Sequence, residues 1–465
     1  MSPYKMLIDG QLVDGDGEID VIDPARAAPF ATAPRASERQ LDEAVAAAKR
    51  AFSAWSARPL RERQILLGEL ADRLEAQTDH FARLLTAEQG KPLPQAMFEV
   101  AATVRGIRFG ANLSLDGERR THAGGTFDLQ RKPLGVVACI MPWNFPMVLA
   151  SNKYAPALLA GNTVILKPAP TTPLTSLELG RIARDVFPAG VVNVITDDND
   201  LGPLLTRHPD IAKVSFTGSI AAGKQVMRSA ADTVKRVTLE LGGNDPALVL
   251  ADADLDRSIA GLVGTAFLNA GQICVAPKRI YVAARIYDAF CERFASAAAR
   301  LRMGAGSQEG VELGPLQNRR QFERVRAIIA DAETRGVILT GGRTTERAGY
   351  FIEPTVVRDI AEGSALVDEE QFGPVVPLIR FDEEREAVAR ANHGAFGLGA
   401  SVWSRDLDRA RALAWTLEAG TVWINQHLAL GPDIPLAGAK QSGLGVEAGT
   451  EGLWEFTRLQ VLHAA

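Results

Sequence analysis

The run Phe267-Leu268-Asn269-Ala270-Gly271-Gln272-Ile273-Cys274 places one of the chain's three cysteines just past a glycine suited to end a helix. Apolar residues at Ile259, Val263, Phe267 and Ala270 recur at helical spacing from Leu255 to Ala270, and Gly271 stands at the expected C-terminal cap. Cys274 then falls in a loop beside a rigid element, where a thiol can meet a substrate as a nucleophile. A thiol with the ordinary pKa of ~8.5 is only slightly ionised at neutral pH, so such a site must deprotonate it or work with that fraction. The competing reading is structural, because free cysteine usually packs as a small hydrophobe. That reading suits Cys139, inside the apolar run Val136-Val137-Ala138-Cys139-Ile140, and Cys291, in the helical stretch Ala289-Phe290-Cys291-Glu292-Arg293.

A second chemical feature is the turn Thr217-Gly218-Ser219, which follows the β-type run Lys213 to Phe216 and precedes an apparent helix. Small residues at a helix N-terminus present free N–H groups, so Gly218 and Ser219 are candidate phosphate contacts, with a plain N-cap as the alternative. The common dinucleotide fingerprint Gly-x-Gly-x-x-Gly is absent. The six histidines, at positions 80, 122, 208, 393, 427 and 463, are scattered and no His-Glu-x-x-His occurs, so no metal centre is expected.

Seven segments recur together in an order that resembles the NAD(P)-dependent aldehyde dehydrogenase superfamily. They are Pro142-Trp143-Asn144-Phe145-Pro146, Lys167-Pro168-Ala169-Pro170, Phe216-Thr217-Gly218-Ser219, Leu239-Glu240-Leu241-Gly242-Gly243-Asn244, Gly271-Gln272-Ile273-Cys274, Glu370-Gln371-Phe372-Gly373-Pro374 and Lys440-Gln441-Ser442-Gly443. The resemblance implies that Cys274 attacks the aldehyde and that the Asn144 amide, with the Cys274 N–H, receives the developing oxyanion. Glu240 would activate water to hydrolyse the resulting thioester, a role that needs a carboxylate with a raised pKa. Relatives that pass the acyl group to coenzyme A typically lack this glutamate, so a free carboxylic acid is the implied product. Lys153 matches a lysine position near the site in many relatives.

The same resemblance assigns Lys167 and Glu370 to cofactor riboses, Phe372 to the nicotinamide end, Ser219 and its neighbour Gly218 to the pyrophosphate, and Trp143 and Gln321 to the lining. One position departs from the pattern. Many NAD-preferring relatives carry glutamate three residues after the Lys167 position, where it repels a 2′-phosphate, and here Pro170 stands instead. No second cation accompanies Lys167, so NAD is the expected cofactor, with NADP tolerated.

By position, Leu149, Asn152, Ile273, Val275 and the loop 426–430 should line the substrate's path. Their mostly apolar character suits an aliphatic or aromatic tail, and a semialdehyde is a further option; no arginine is evident there to receive a second carboxylate. A cofactor-free thiol hydrolase and an inactive structural relative are the alternatives. The first leaves Lys167, Ser219 and Glu370 unexplained, and no Gly-x-Ser-x-Gly offers a serine route.

A length of 465 residues suits about three domains, and a composition 46% hydrophobic and 23% charged suits an ordinary globular protein. A net charge of −5 without a basic run argues against nucleic acid or an anionic membrane as partner. The N-terminus lacks the apolar core of a signal peptide, no run approaches the ~18 apolar residues of a membrane span, and no Cys-x-x-Cys occurs, so a cytoplasmic location is expected.

The elements that must position these residues follow from periodicity. β-type runs at 134–141, 163–166, 191–195, 213–216 and 236–240 alternate with helical patterns, which implies a doubly wound α/β fold with a parallel sheet. Ser37-Glu38-Arg39-Gln40 reads as a capping box, and a second helix begins near Pro59 and buries Leu67, Leu70 and Leu74. A new α/β series begins after Gly242-Gly243. The expected organisation is a cofactor-binding domain of residues 1–114 and 134–242, a catalytic domain of 243–440, and small β segments at 115–133 and 441–465. In the resembled family those segments project and pair between subunits, implying a homodimer or homotetramer.

Overall fold

The alternating pattern folds into two sheets, each with a parallel centre, in a computed structural model that describes residues 2–343 and 347–463. The first sheet has eight strands. Its five parallel members, Arg236–Glu240, Ile211–Thr217, Val136–Ile140, Thr163–Lys167 and Val192–Val194, lie side by side in that order. The chain runs outward from Val136–Ile140 on one side and returns to pair Ile211–Thr217 on its other side. That junction is a topological switch point, and ligands of open α/β sheets bind beyond the carboxyl ends of the strands that flank it. The segment carrying Asn144 and the turn carrying Gly218 leave those two carboxyl ends.

The second sheet, seven-stranded, has Pro277–Ala283 at its centre; Asp245–Val249 lies beside it, paired in parallel with Pro277–Ala283 and Gly399–Trp403. A three-stranded arm joins Thr457–His463, Gly125–Pro133 and Glu118–His122. The segment 441–465 is not all arm: Gly443–Leu444 extends the first sheet by pairing with Glu240 and Leu239. Leu459, Val461 and Leu462 on the arm are exposed.

Local signals act as the periodicity predicts. Ser37 and Gln40 form the reciprocal capping box of the helix Glu38–Ser56. The helix Leu60–Glu75 buries Leu67, Leu70 and Leu74, each contributing about 1.5–3 kcal/mol of apolar burial. Cys139 and Cys291 are core residues. The helix before the nucleophile differs from expectation. It spans Leu255–Ala266, and a 3₁₀ turn, Leu268–Gly271, carries Asn269, Ala270 and Gly271 in the left-handed region at φ 50°, 54° and 71°. Distant partners hold this turn: Asn269 N–H donates to Gln95 Oε1 at 3.0 Å, and Asn269 Nδ2 donates to the Asn144 carbonyl at 3.0 Å. A side chain at Gly271 would come within 2.2 Å of the Gly373 carbonyl, so the close approach as well as the φ requires glycine.

Candidate active site

Cys274 sits where the two sheets meet, three residues before the strand Pro277–Ala283. It is half-buried in an apolar cluster with Phe145, Ile273, Val275, Leu428, Ala429 and Leu436. Asn144 reaches the same loop from the first sheet, where its Nδ2 donates to the Gln272 carbonyl at 2.9 Å. That bond uses one of its two amide hydrogens and leaves the second for an incoming oxyanion. The Asn144 backbone is fixed in turn by Lys91 Nζ, which donates to its carbonyl at 2.8 Å, and Lys91 forms a fully buried ion pair with Glu99 at 2.5 Å. Glu99 Oε1 also accepts the first-turn Met147 N–H of the helix Pro146–Leu159 at 2.9 Å, so one carboxylate ties the Asn144 loop to its following helix.

Burial pushes the Cys274 thiol up to about 12; Lys278 pulls it down, while Glu370, Glu240 and Asp245 push it further up. The resting thiol is therefore protonated at neutral pH. Lys278 holds the loop's backbone, donating to the Ile273 carbonyl at 2.6 Å and to the Cys274 carbonyl at 2.7 Å, and its ammonium lies 3.5 Å from Glu370 Oε1.

Glu240 ends its strand, buried, and among the described residues neither carboxylate oxygen has a hydrogen-bond partner. Its pKa is raised well above the carboxylate range, by burial first and by Glu447 second, with Lys153 opposing. Lys153 is itself buried, donating to Thr217 Oγ1 at 2.6 Å and paired with the Glu447 carboxylate. An unpartnered carboxylate with a raised pKa is, in its ionised form, a stronger base than an ordinary one. Paired glycines let the elements close: a side chain at Gly243 would come within 2.4 Å of the Cys274 carbonyl.

The remaining predicted residues gather beyond the first sheet's carboxyl edge. Ser219 caps the helix Ile220–Ala231, accepting from Ala222 N–H at 3.3 Å, and a side chain at Gly218 would meet the Phe216 ring. The Ile220 and Ala221 amides are first-turn groups with no intrahelical partner, the kind that receive a phosphate. Glu370 accepts Gly243 N–H at 3.0 Å, and Phe372, at φ 52°, packs edge-on against Trp143 at 5.4 Å between ring centroids. Gln321 holds that strained turn by donating to the Gln371 and Phe372 carbonyls at 2.9 and 3.0 Å. Lys167 pairs with Asp197, and Pro170 lies half-buried on the loop that follows. These groups fit a dinucleotide: amides for phosphate, polar side chains for riboses, and aromatic faces at the far end.

A model of the aldehyde dehydrogenase family matches residues 12–462. The chain belongs to that family. It is 40% identical to the aldehyde dehydrogenase LUC3 of Fusarium sp, over 99% of this chain and 98% of that one. It is 39% identical to the NADP-dependent succinate-semialdehyde dehydrogenase GabD of Escherichia coli K12, over 98% and 97%. Among solved structures, the NAD+ complex of the Bacillus cereus aldehyde dehydrogenase superposes with a TM-score of 0.96 at 36% identity, covering 99% of this chain and 96% of that one.

Several residues of this family member were not singled out from sequence. Glu447, Lys278 and the Lys91–Glu99 pair carry no local signature, although Lys91 directly follows the helix-capping Gly90. His427, read only as a scattered histidine in a lining loop, is buried beneath the nucleophile loop, with Nε2 3.0 Å from the Val275 carbonyl and Nδ1 2.9 Å from Ser401 Oγ. Asn152, expected on the substrate's path, lines a cleft with Gly106, Phe109, Ser151 and Pro432.

Proposed function

We propose that this aldehyde dehydrogenase family member oxidises a small-molecule aldehyde to the free carboxylic acid, with NAD preferred over NADP. The juxtaposition of Cys274, Asn144 and the unpartnered Glu240 at the junction of the two sheets carries this reading. Cys274 Sγ bonds to the carbonyl carbon as its thiol proton passes to water. The oxyanion is held by the second Asn144 amide hydrogen and the Cys274 N–H, two donors whose positions are set before substrate arrives. The dinucleotide, when bound, supplies the hydride acceptor that turns the thiohemiacetal into a thioester. Glu240, in its ionised form, takes a proton from a water molecule, whose oxygen attacks the thioester carbon. The C–S bond breaks, the acid leaves, and the thiolate regains a proton.

Lys167, Ser219, Gly218, Glu370, Phe372, Trp143 and Gln321 form the cofactor face in this reading, and Lys153 acts with Glu447 to set the charge around Glu240. The apolar cluster about Cys274 supports an aldehyde with an aliphatic or aromatic tail. The exposed apolar residues of the arm support a homodimer or homotetramer, because an uncovered sheet edge invites pairing. Among the described residues no helix is long and apolar enough to cross a membrane.

The test is reduced-cofactor absorbance with NAD, and separately with NADP, across a panel of short aliphatic, long aliphatic, aromatic and semialdehyde substrates, with Cys274→Ala as control. Turnover that disappears in the variant is expected, with the highest kcat/KM for apolar tails. Equal turnover in wild type and variant would refute the nucleophile, and no turnover with either cofactor would refute the reaction.

A further inference from the structure

Lys167 ends the strand Thr163–Lys167, and Asp197 lies just beyond its parallel neighbour Val192–Val194, so both leave the same carboxyl edge of the first sheet. Lys167 Nζ is 2.6 Å from Asp197 Oδ1, and the side chains are 4% and 0% exposed. Asp197 Oδ2 accepts Leu201 N–H at 3.0 Å, and Oδ1 has no further hydrogen-bond partner among the described residues. The ammonium of Lys167 is thus neutralised within the protein. Acidic residues continue along the segment at Asp198 and Asp200. The nearby guanidinium of Arg35 is taken by Asp200 at 2.6 Å.

This arrangement bears on the charge a ligand can carry at that edge. A 2′-phosphate brings about −1.5 to −2 charges and needs cations free to receive it. Here the two cations are already matched by carboxylates, and a second anion beside Asp197 would be repelled. Three residues after Lys167 stands Pro170, which offers no carboxylate. A carboxylate reaches the same lysine from the adjacent strand end instead.

We propose that Asp197 is a specificity-determining residue that acts through Lys167: it removes the net positive charge a 2′-phosphate would require, so the site takes a dinucleotide with a free ribose 2′-hydroxyl. This rests on the reading of Lys167 as a ribose contact. Asp197 positions and neutralises the lysine without itself touching the reacting atoms.

The test is equilibrium binding of NAD and NADP, followed by tryptophan fluorescence and by calorimetry, for the wild type, Asp197→Ala and Asp197→Asn. The asparagine keeps an acceptor for Leu201 N–H, so it remains informative if the alanine variant does not fold. Wild type is expected to bind NAD more tightly. Either variant is expected to strengthen NADP binding by about tenfold while changing NAD binding far less, because only the ligand with the extra phosphate meets the removed charge. A purely structural role would weaken both ligands together. An unchanged NADP-to-NAD ratio in a folded variant that binds NAD, or a wild type that prefers NADP, would overturn the proposal. A wild type that binds neither dinucleotide would overturn the dinucleotide reading of the site, and the proposal with it.

Discussion

Lys153 and Glu447 form an ion pair with both side chains buried, and the pair lies within electrostatic reach of Glu240. The two members come from segments 294 residues apart. Glu447 is held by an isolated bridge in which its N–H donates to the Leu436 carbonyl and its carbonyl accepts Leu436 N–H, both at 2.8 Å. Glu447 raises the pKa of Glu240 and Lys153 lowers it, so the pair sets how readily the proposed base ionises.

Glu447→Gln therefore lowers the pKa of Glu240 by removing a like charge and leaving Lys153 uncompensated. Glu240 is the base in its ionised form, so the acid limb of thioester hydrolysis should move to lower pH. Rapid-mixing measurement of deacylation against pH checks this, and a limb that stays in place would show that Glu447 does not tune Glu240. The variant should also lose stability, because breaking a buried ion pair costs about 3–5 kcal/mol.

Glu240→Gln should separate the two halves of the reaction. Acylation and hydride transfer give a burst of reduced cofactor close to one equivalent per active site, and the steady state then falls to a small residue. General-base removal typically costs about 10²–10⁴-fold, so the burst should stand well clear of turnover. A variant with an undiminished steady rate would mean another group activates water.

Asn144→Ala removes a donor aimed at the oxyanion, and kcat should fall about 10²–10³-fold. It also removes the bond to the Gln272 carbonyl, so a loss of about 1 kcal/mol in stability accompanies it. NAD affinity measured by calorimetry should stay near the wild-type value. A comparable loss in NAD binding would point to collapse of the loop rather than loss of the oxyanion donor.

Lys278→Met takes away the cation that opposes burial at Cys274 and the donor that ties the Ile273 and Cys274 carbonyls. The thiol pKa should rise, and alkylation by iodoacetamide without cofactor should slow at every pH below it. Lys278→Arg should recover most of the rate. Equal alkylation rates in Met variant and wild type would exclude an electrostatic role for this lysine.

The local parts of the protein were legible in the sequence. The Ser37–Gln40 capping box, the apolar face of Leu60–Glu75, the core position of Cys139 and the parallel strands all depend on neighbours within a few residues, where periodicity and capping chemistry speak directly. The motifs around Cys274, Glu240 and Asn144 were equally visible, because each is a short contiguous string. The end of the helix at Ala266 was not, since Asn269 and Ala270 turn left-handed against Gln95 and Asn144, more than a hundred residues away in sequence. Nor could the sequence pair Lys153 with Glu447, Lys278 with Glu370, or Lys167 with Asp197. Residue types announce which charges exist; burial and the approach of distant strands decide which charges face each other, and the low dielectric of that interior then sets their protonation.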